Sequence, residues 1–162
     1  MQISMKTSWK SLGVLVAAAV IAFCASGLAA QNEPFLGIWA LNVDQTSNYP
    51  MKSQLIINVP SPDSPDAFIS MRASINKNGQ SSTEVHPVAF DGKPHQTDGG
   101  DPREITYKRI DGNTVERTQN RAGKITVDQE QVSKDGKTLT VTQPGGIVRT
   151  YTKQYSVQPV KR

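Results

Sequence analysis

The chain has 162 residues, 36% of them hydrophobic, with 18 Lys+Arg against 14 Asp+Glu for a formal charge of +4. That length sets one domain as the expectation, and the single cysteine excludes an internal disulfide framework. Lys6 and Lys10 supply half of the excess charge, so no dense basic face is left for nucleic acid, which needs many phosphate contacts on one side.

The first element in the chain reads as a targeting segment. Lys6 and Lys10 give a basic start, SLGVLVAAAVIAFCASG is an uncharged apolar run, and GLAA offers small residues for cleavage after Ala29 or Ala30. The Leu12–Phe23 run is about a dozen residues, short of the ~20 that a spanning helix needs. Phe23 before Cys24 argues against lipidation, whose site demands a small preceding residue. Residues 1–30 are therefore expected to be a signal peptide and residues 31–162 a single exported domain, periplasmic or secreted, with no transmembrane span in the mature chain. Cleavage leaves 16 Lys+Arg against 14 Asp+Glu, no cysteine, and Trp39 as the only tryptophan. Packing alone must then stabilise the fold.

Beyond Gln31 the pattern is that of strands. Val, Ile, Thr and Tyr dominate the ordered runs, and turn signals separate them. Those turns are Asn76–Gly79, Phe90–Lys93, Ile110–Asn113, Arg121–Lys124, Lys134–Lys137 and Pro144–Gly146. Their glycines suit tight hairpins, which require positive φ. The spacing predicts strands over 35–43, 53–59, 67–75, 81–90, 103–110, 114–120, 124–133, 137–143 and 147–157. Pro60–Asp66 is a loop by its three prolines, and Lys93–Pro102 is a second, longer loop. No segment carries a 3.6-residue apolar stripe. Hairpin-linked strands must hide their edges, and an antiparallel up-and-down barrel of eight or nine strands does so; a β-sandwich is the alternative.

The motif Leu36-Gly37-Ile38-Trp39-Ala40-Leu41-Asn42 at the first strand, with the DGK turn Asp91–Lys93, the hairpin Val132–Thr142 and Tyr151-Thr152-Lys153-Gln154, resembles the lipocalins and the wider calycin group. More closely, it resembles the small exported bacterial lipocalin-like proteins that begin L-G-x-W-x-L-N. The resemblance spans nearly the whole mature chain and departs at Gln45–Ser47, where a Lys-Ser is expected. It implies a fold far more than an activity. It also implies that Gly37 and Trp39 close the base of the barrel with a basic residue from the last strand across the indole. Arg149 is the candidate, because Ile147, Arg149, Tyr151 and Lys153 alternate onto one face. An indole face would hold a buried cation by about 0.5–2 kcal/mol.

Alternation along the other strands suggests what fills the interior. Leu55, Ile57 and Val59 form one apolar row, Ile69, Met71, Ala73 and Ile75 another, and Ile105–Tyr107 and Leu139–Val141 continue the series. In the strands over 114–120 and 124–133 the rows turn polar, with Val115, Arg117 and Gln119 on one face, and Gln129 and Gln131 following Ile125 and Val127. Such walls fit a packed base with a polar mouth, although the same polar residues also suit strand ends in water. Tyr107, Arg117 and Tyr151 are the candidate ligand-binding residues, with Arg117 facing an anionic or acceptor-rich group.

Reactive chemistry is sparse. No nucleophile elbow, phosphate loop or metal-spaced cluster occurs. His86 and His95, with Asp91, Asp98 or Asp101, fall short of a convincing zinc set, so no metal and no cofactor is expected. Glu116 and Glu130 on adjacent strands are a conceivable carboxylate pair, more naturally a pairing device for Arg117 or Arg109. The leading reading is an exported lipocalin-like binding protein for a small hydrophobic or amphipathic molecule. An envelope-associated structural or protein-interaction domain is the second, and a small-molecule isomerase or hydrolase in the barrel mouth the third.

Overall fold

The computed structural model describes residues 33–46, 49–99 and 102–156. The expected signal peptide over residues 1–30 lies outside the described residues. Ten strands follow in order: β1 Gly37–Leu41, β2 Met51–Pro60, β3 Phe68–Asn76, β4 Ser81–Val88, β5 His95–Gln96, β6 Glu104–Asp111, β7 Thr114–Arg121, β8 Lys124–Val132, β9 Thr138–Gln143 and β10 Ile147–Tyr155. They form one antiparallel sheet with the order β4-β3-β2-β1-β10-β9-β8-β7-β6-β5. Every neighbour is therefore a hairpin partner, except that the first strand pairs with the last.

That pairing of β1 with β10 (Leu41 opposite Tyr151) bends the sheet round on itself. The remaining seam is shut by one bridge, in which Val85 and Asp98 exchange both backbone hydrogen bonds at 2.8 Å. Gly99 makes this approach possible: its φ is +77°, and a Cβ there would stand 2.8 Å from the Thr83 carbonyl oxygen. The result is a nearly closed barrel, the architecture expected, with two more strands than the lower count. The additional element is β5, a two-residue strand inside the stretch read from sequence as the Lys93–Pro102 loop. Its proline and glycine neighbours mask so short a run.

One interior face packs solidly. Phe35, Trp39, Ile56, Ile105, Val115, Leu139, Val141 and Tyr151 are all 2% exposed or less. Trp39 fixes the parity of its neighbours, since it pairs with Ile56 on one side and Lys153 on the other. With Ile56 inward, alternation along β2 sends Gln54 and Asn58 inward too and turns Leu55, Ile57 and Val59 outward. Across the ladder, Ser70, Arg72 and Ser74 of β3 then face in, while Met71 and Ile75 are 38% and 41% exposed.

Those two apolar rows thus line the outer wall and not the interior, the reverse of the expectation. On β8 the parity is likewise opposite: Asp128 and Glu130 are buried, and Gln129 and Gln131 are exposed. Sequence alternation defines two faces but does not say which is inside, and here buried cations opposite give the acidic face its place.

Candidate functional site

The base of the barrel is built around Trp39. Its indole Nε1 donates to the Phe35 carbonyl at 2.9 Å, which also accepts from Asn58 Nδ2 at 2.8 Å. Lys153 Nζ lies 4.5 Å from the Trp39 ring centroid and donates to the Pro34 carbonyl at 3.2 Å. Burial lowers the Lys153 ammonium below its ordinary range. The cation across the indole is therefore Lys153, four residues beyond the expected Arg149. A register shift at Ile38/Trp39 sets Lys153 directly opposite Trp39. Gly37, at φ +132°, is required there because a Cβ would come within 2.5 Å of the Tyr155 carbonyl oxygen.

Arg149 instead reaches into the other half of the barrel. Its guanidinium sits 4.9 Å from the Tyr49 ring and 3.3 Å from Asp128 Oδ2. Around it lies a buried network contributed by nearly every wall. Arg72 of β3 donates to Glu130 of β8 at 2.9 Å. Arg117 of β7 stands 3.0 Å from Glu130 and also pairs with Asp128. Glu84 of β4 takes Arg103 and lies 3.9 Å from Arg72 Nε. Burial raises the Glu130 carboxyl, but Arg117 and Arg72 outweigh it and hold the group down at about 2. For Arg72 and Arg117, burial works against the charge and the facing carboxylates more than compensate, so both are raised above the ordinary arginine range.

Neutral groups buttress this network. His86, 1% exposed, lies with Nε2 3.0 Å from the Tyr107 hydroxyl and its ring stacked on Tyr107. Burial together with Arg72 and Arg117 pushes His86 down to about 2, so it is uncharged. Tyr151 donates to Gln54 Oε1 at 2.5 Å, and burial raises its phenol to about 12. Gln54 in turn donates to Ser74 at 2.7 Å.

Above the network the barrel opens into a cavity of about 300 Å³. Arg72, Arg103, Arg117, Arg121 and Arg149 all line it, against Glu84 as its single carboxylate among the described residues. Gln54, Gln119 and Gln143 add amides, Ser74, Ser82 and Thr83 add hydroxyls, and Tyr49 and Met51 supply the apolar contact. Arg117 is thus in the cavity wall. Tyr107 and Tyr151 are buried and do not line it, because their hydroxyls are turned to His86 and Gln54. Arg72, Arg103 and Tyr49 are cavity residues that alternation did not single out. The inward Arg72 sits in a row whose partner row looked like core, and only the parity of Trp39 and Ile56 reveals it.

Two further candidates separate in space. His86 is inside the barrel, whereas His95 is on the surface at 3.1 Å from Asp91, so the two histidines share no site. Glu130 faces inward beside Val115, while Glu116 lies opposite the exposed Gln129, which excludes a carboxylate pair. Among the described residues no group of three or more His, Cys, Asp or Glu is placed to hold a metal ion.

No family model matches the sequence, and no curated protein matches it. Among solved structures, the chain is similar to a Schistosoma mansoni fatty acid binding protein in complex with arachidonic acid. The identity is 15% and the TM-score 0.52, with 74% of this chain and 96% of that one covered. It is likewise similar to a mutant of the fluorescent protein UnaG, at 15% identity and a TM-score of 0.50, covering 75% and 96%. Likeness at that identity shows the fold alone: an antiparallel, nearly closed barrel.

Proposed function

We propose that this barrel is an exported binding protein for a small amphipathic molecule that carries an anionic group. The observation that carries the reading is the cavity wall, where five arginines face one carboxylate in a space of about 300 Å³. Counting the deeper Asp128 and Glu130, the arginines still exceed the carboxylates by two among the described residues, which favours an incoming anion. Burying so many ionic groups is weak as a stabilising device, and a cluster of this kind in a concave site is what ligand recognition uses. A carboxylate or phosphate would accept charge-assisted hydrogen bonds from the guanidinium forks, with its apolar part against Tyr49 and Met51. The packed base below leaves no slot for a long chain. The solved neighbour with arachidonic acid supports ligand carriage by this kind of barrel, and the targeting segment over residues 1–30 supports export.

Native mass spectrometry of the mature chain from its host's envelope fraction tests the reading. A discrete added mass that disappears on denaturation, and that extracts as an acid, is expected. A bare chain that also fails to shift its melting temperature with any organic acid or phosphate ester would overturn it. Saturation at about 100 times Kd stabilises by about 2.7 kcal/mol, or roughly 10 °C for a domain of this size. Arg121→Glu at the exposed rim should reduce that shift without touching the buried network.

A further inference from the structure

Among the described residues the ladder on the β9 side of β8 stops short of the strand's beginning. β8 pairs with β7 along its whole length, from Lys124 opposite Arg121 to Gln131 opposite Thr114. It pairs with β9 only from Gln129 to Val132. The β9–β10 hairpin turns back at Gln143, opposite Ile147, so the β7–β8 hairpin stands above it and, among the described residues, Lys124–Asp128 is a free edge.

The direction of the backbone groups on that edge follows from the ladder. Val132 N–H bonds the Asn113 carbonyl at 2.8 Å, on the β7 side. Backbone groups alternate sides along an antiparallel strand, so those of Ile125 and Val127 point to the open side. Both residues also expose their side chains, at 65% and 40%. Proteins ordinarily cover, shorten or charge such an edge.

A notch lies on either face of it. The outer one, about 290 Å³, includes Ile110, Val127 and Pro144 together with the polar Glu116, Asp128 and Gln129. The inner one, about 220 Å³, includes Arg103, Arg121 and Lys124 and has no carboxylate in its lining. A strand laid along the edge would send alternate side chains to these two notches, an outer one that offers Ile110, Val127 and Pro144 and an inner basic one.

We propose that Lys124–Asp128 is a strand-addition site for an extended segment of a partner protein in which apolar and acidic residues alternate. Main-chain bonds to Ile125 and Val127 supply the attachment, and the two notches supply the selectivity. A second copy is a poor occupant, because pairing two such edges sets two basic inner notches side by side. The inner notch shares Arg103, Gln119, Arg121 and Gln143 with the ligand cavity, so an added strand would border its mouth.

Fluorescence anisotropy with labelled seven-residue peptides on the mature chain tests this. A peptide alternating valine and glutamate should bind at least tenfold tighter than one alternating valine and lysine. Lys124→Glu should narrow or reverse that preference. Val127→Pro removes an edge N–H that the β7 ladder does not use, and should weaken binding tenfold or more. If Val127→Pro fails to fold, the valine–glutamate peptide N-methylated on alternate amides tests the same contact on the unchanged protein. Absence of binding, equal binding of the two peptides, or insensitivity to both proline and N-methylation would overturn the proposal. So would a dimer by sedimentation that Lys124→Glu alters and that the peptide cannot displace, which would assign the edge to a second copy.

Discussion

Arg72 on β3 and Glu130 on β8 meet at 2.9 Å, although β2, β1, β10 and β9 lie between their strands in the sheet. Only closure of the sheet can bring them together, so the ion pair crosses the barrel interior and does not run along the wall. Glu130 also faces Arg117 at 3.0 Å, which makes it the common acceptor of two buried guanidinium groups.

Removing that acceptor should be costly. Glu130→Gln leaves Arg72 and Arg117 buried without their shared charge, and breaking a buried pair in this way costs about 3–5 kcal/mol. The companion variant Arg72→Met together with Glu130→Gln should recover at least about 1 kcal/mol of the loss, since residues in one network couple. Urea unfolding midpoints of the single and double variants read the difference, and strict additivity would show that the cross-barrel pair is energetically idle.

The same network sets an acid limit. His86 is lowered from 6.5 to about 2 in the fold, so its stabilising contribution is fully present above 6.5 and is lost as pH falls below that value. The loss follows from the unfolded chain taking up a proton that the folded chain refuses, at about 1.4 kcal/mol per pH unit. Between pH 7 and 5 the protein should lose about 2 kcal/mol. Glu130, lowered from 4.5 to about 2, adds a second loss only below 4.5. Urea titrations at pH 7, 6 and 5 should show the first slope in the native chain and its near-absence in His86→Gln.

Trp39 offers an optical check on the closed end. Lys153→Met should shift the Trp39 emission and destabilise by about 1–2 kcal/mol, the sum of a cation–π contact and one hydrogen bond. Arg149→Lys should leave that emission unchanged, because Arg149 lies against Tyr49 and Asp128. An emission change produced by Arg149→Lys alone would contradict this assignment.

The β7–β8 hairpin contains an uncorrected strain. Its turn uses Ala122 at φ +48° and Gly123 at +84°, the pair of positive values that a tight primed turn requires. Alanine is poorly suited to the first of them, at a cost of about 1 kcal/mol. Ala122→Asn should therefore raise the unfolding free energy by up to about 1 kcal/mol, visible as a higher melting temperature.

What the sequence determined by itself was local. Glycine-bearing turns located the hairpins because positive φ is a property of single residues, and alternation put Arg149, Tyr151 and Lys153 on one shared face because it is a property of one strand. The barrel followed, since consecutive hairpins without a helix must hide their edges. Tertiary structure decided which face of β2, β3 and β8 is inside, because two-fold alternation is symmetric until a neighbouring strand breaks the tie. Trp39 opposite Ile56 breaks it for β2 and β3, and the inward arginines break it for Asp128 and Glu130. The register that sets Lys153 and not Arg149 over the indole, the two-residue β5 and the convergence of five arginines at one mouth likewise arise from pairing and closure, which join residues more than a hundred positions apart.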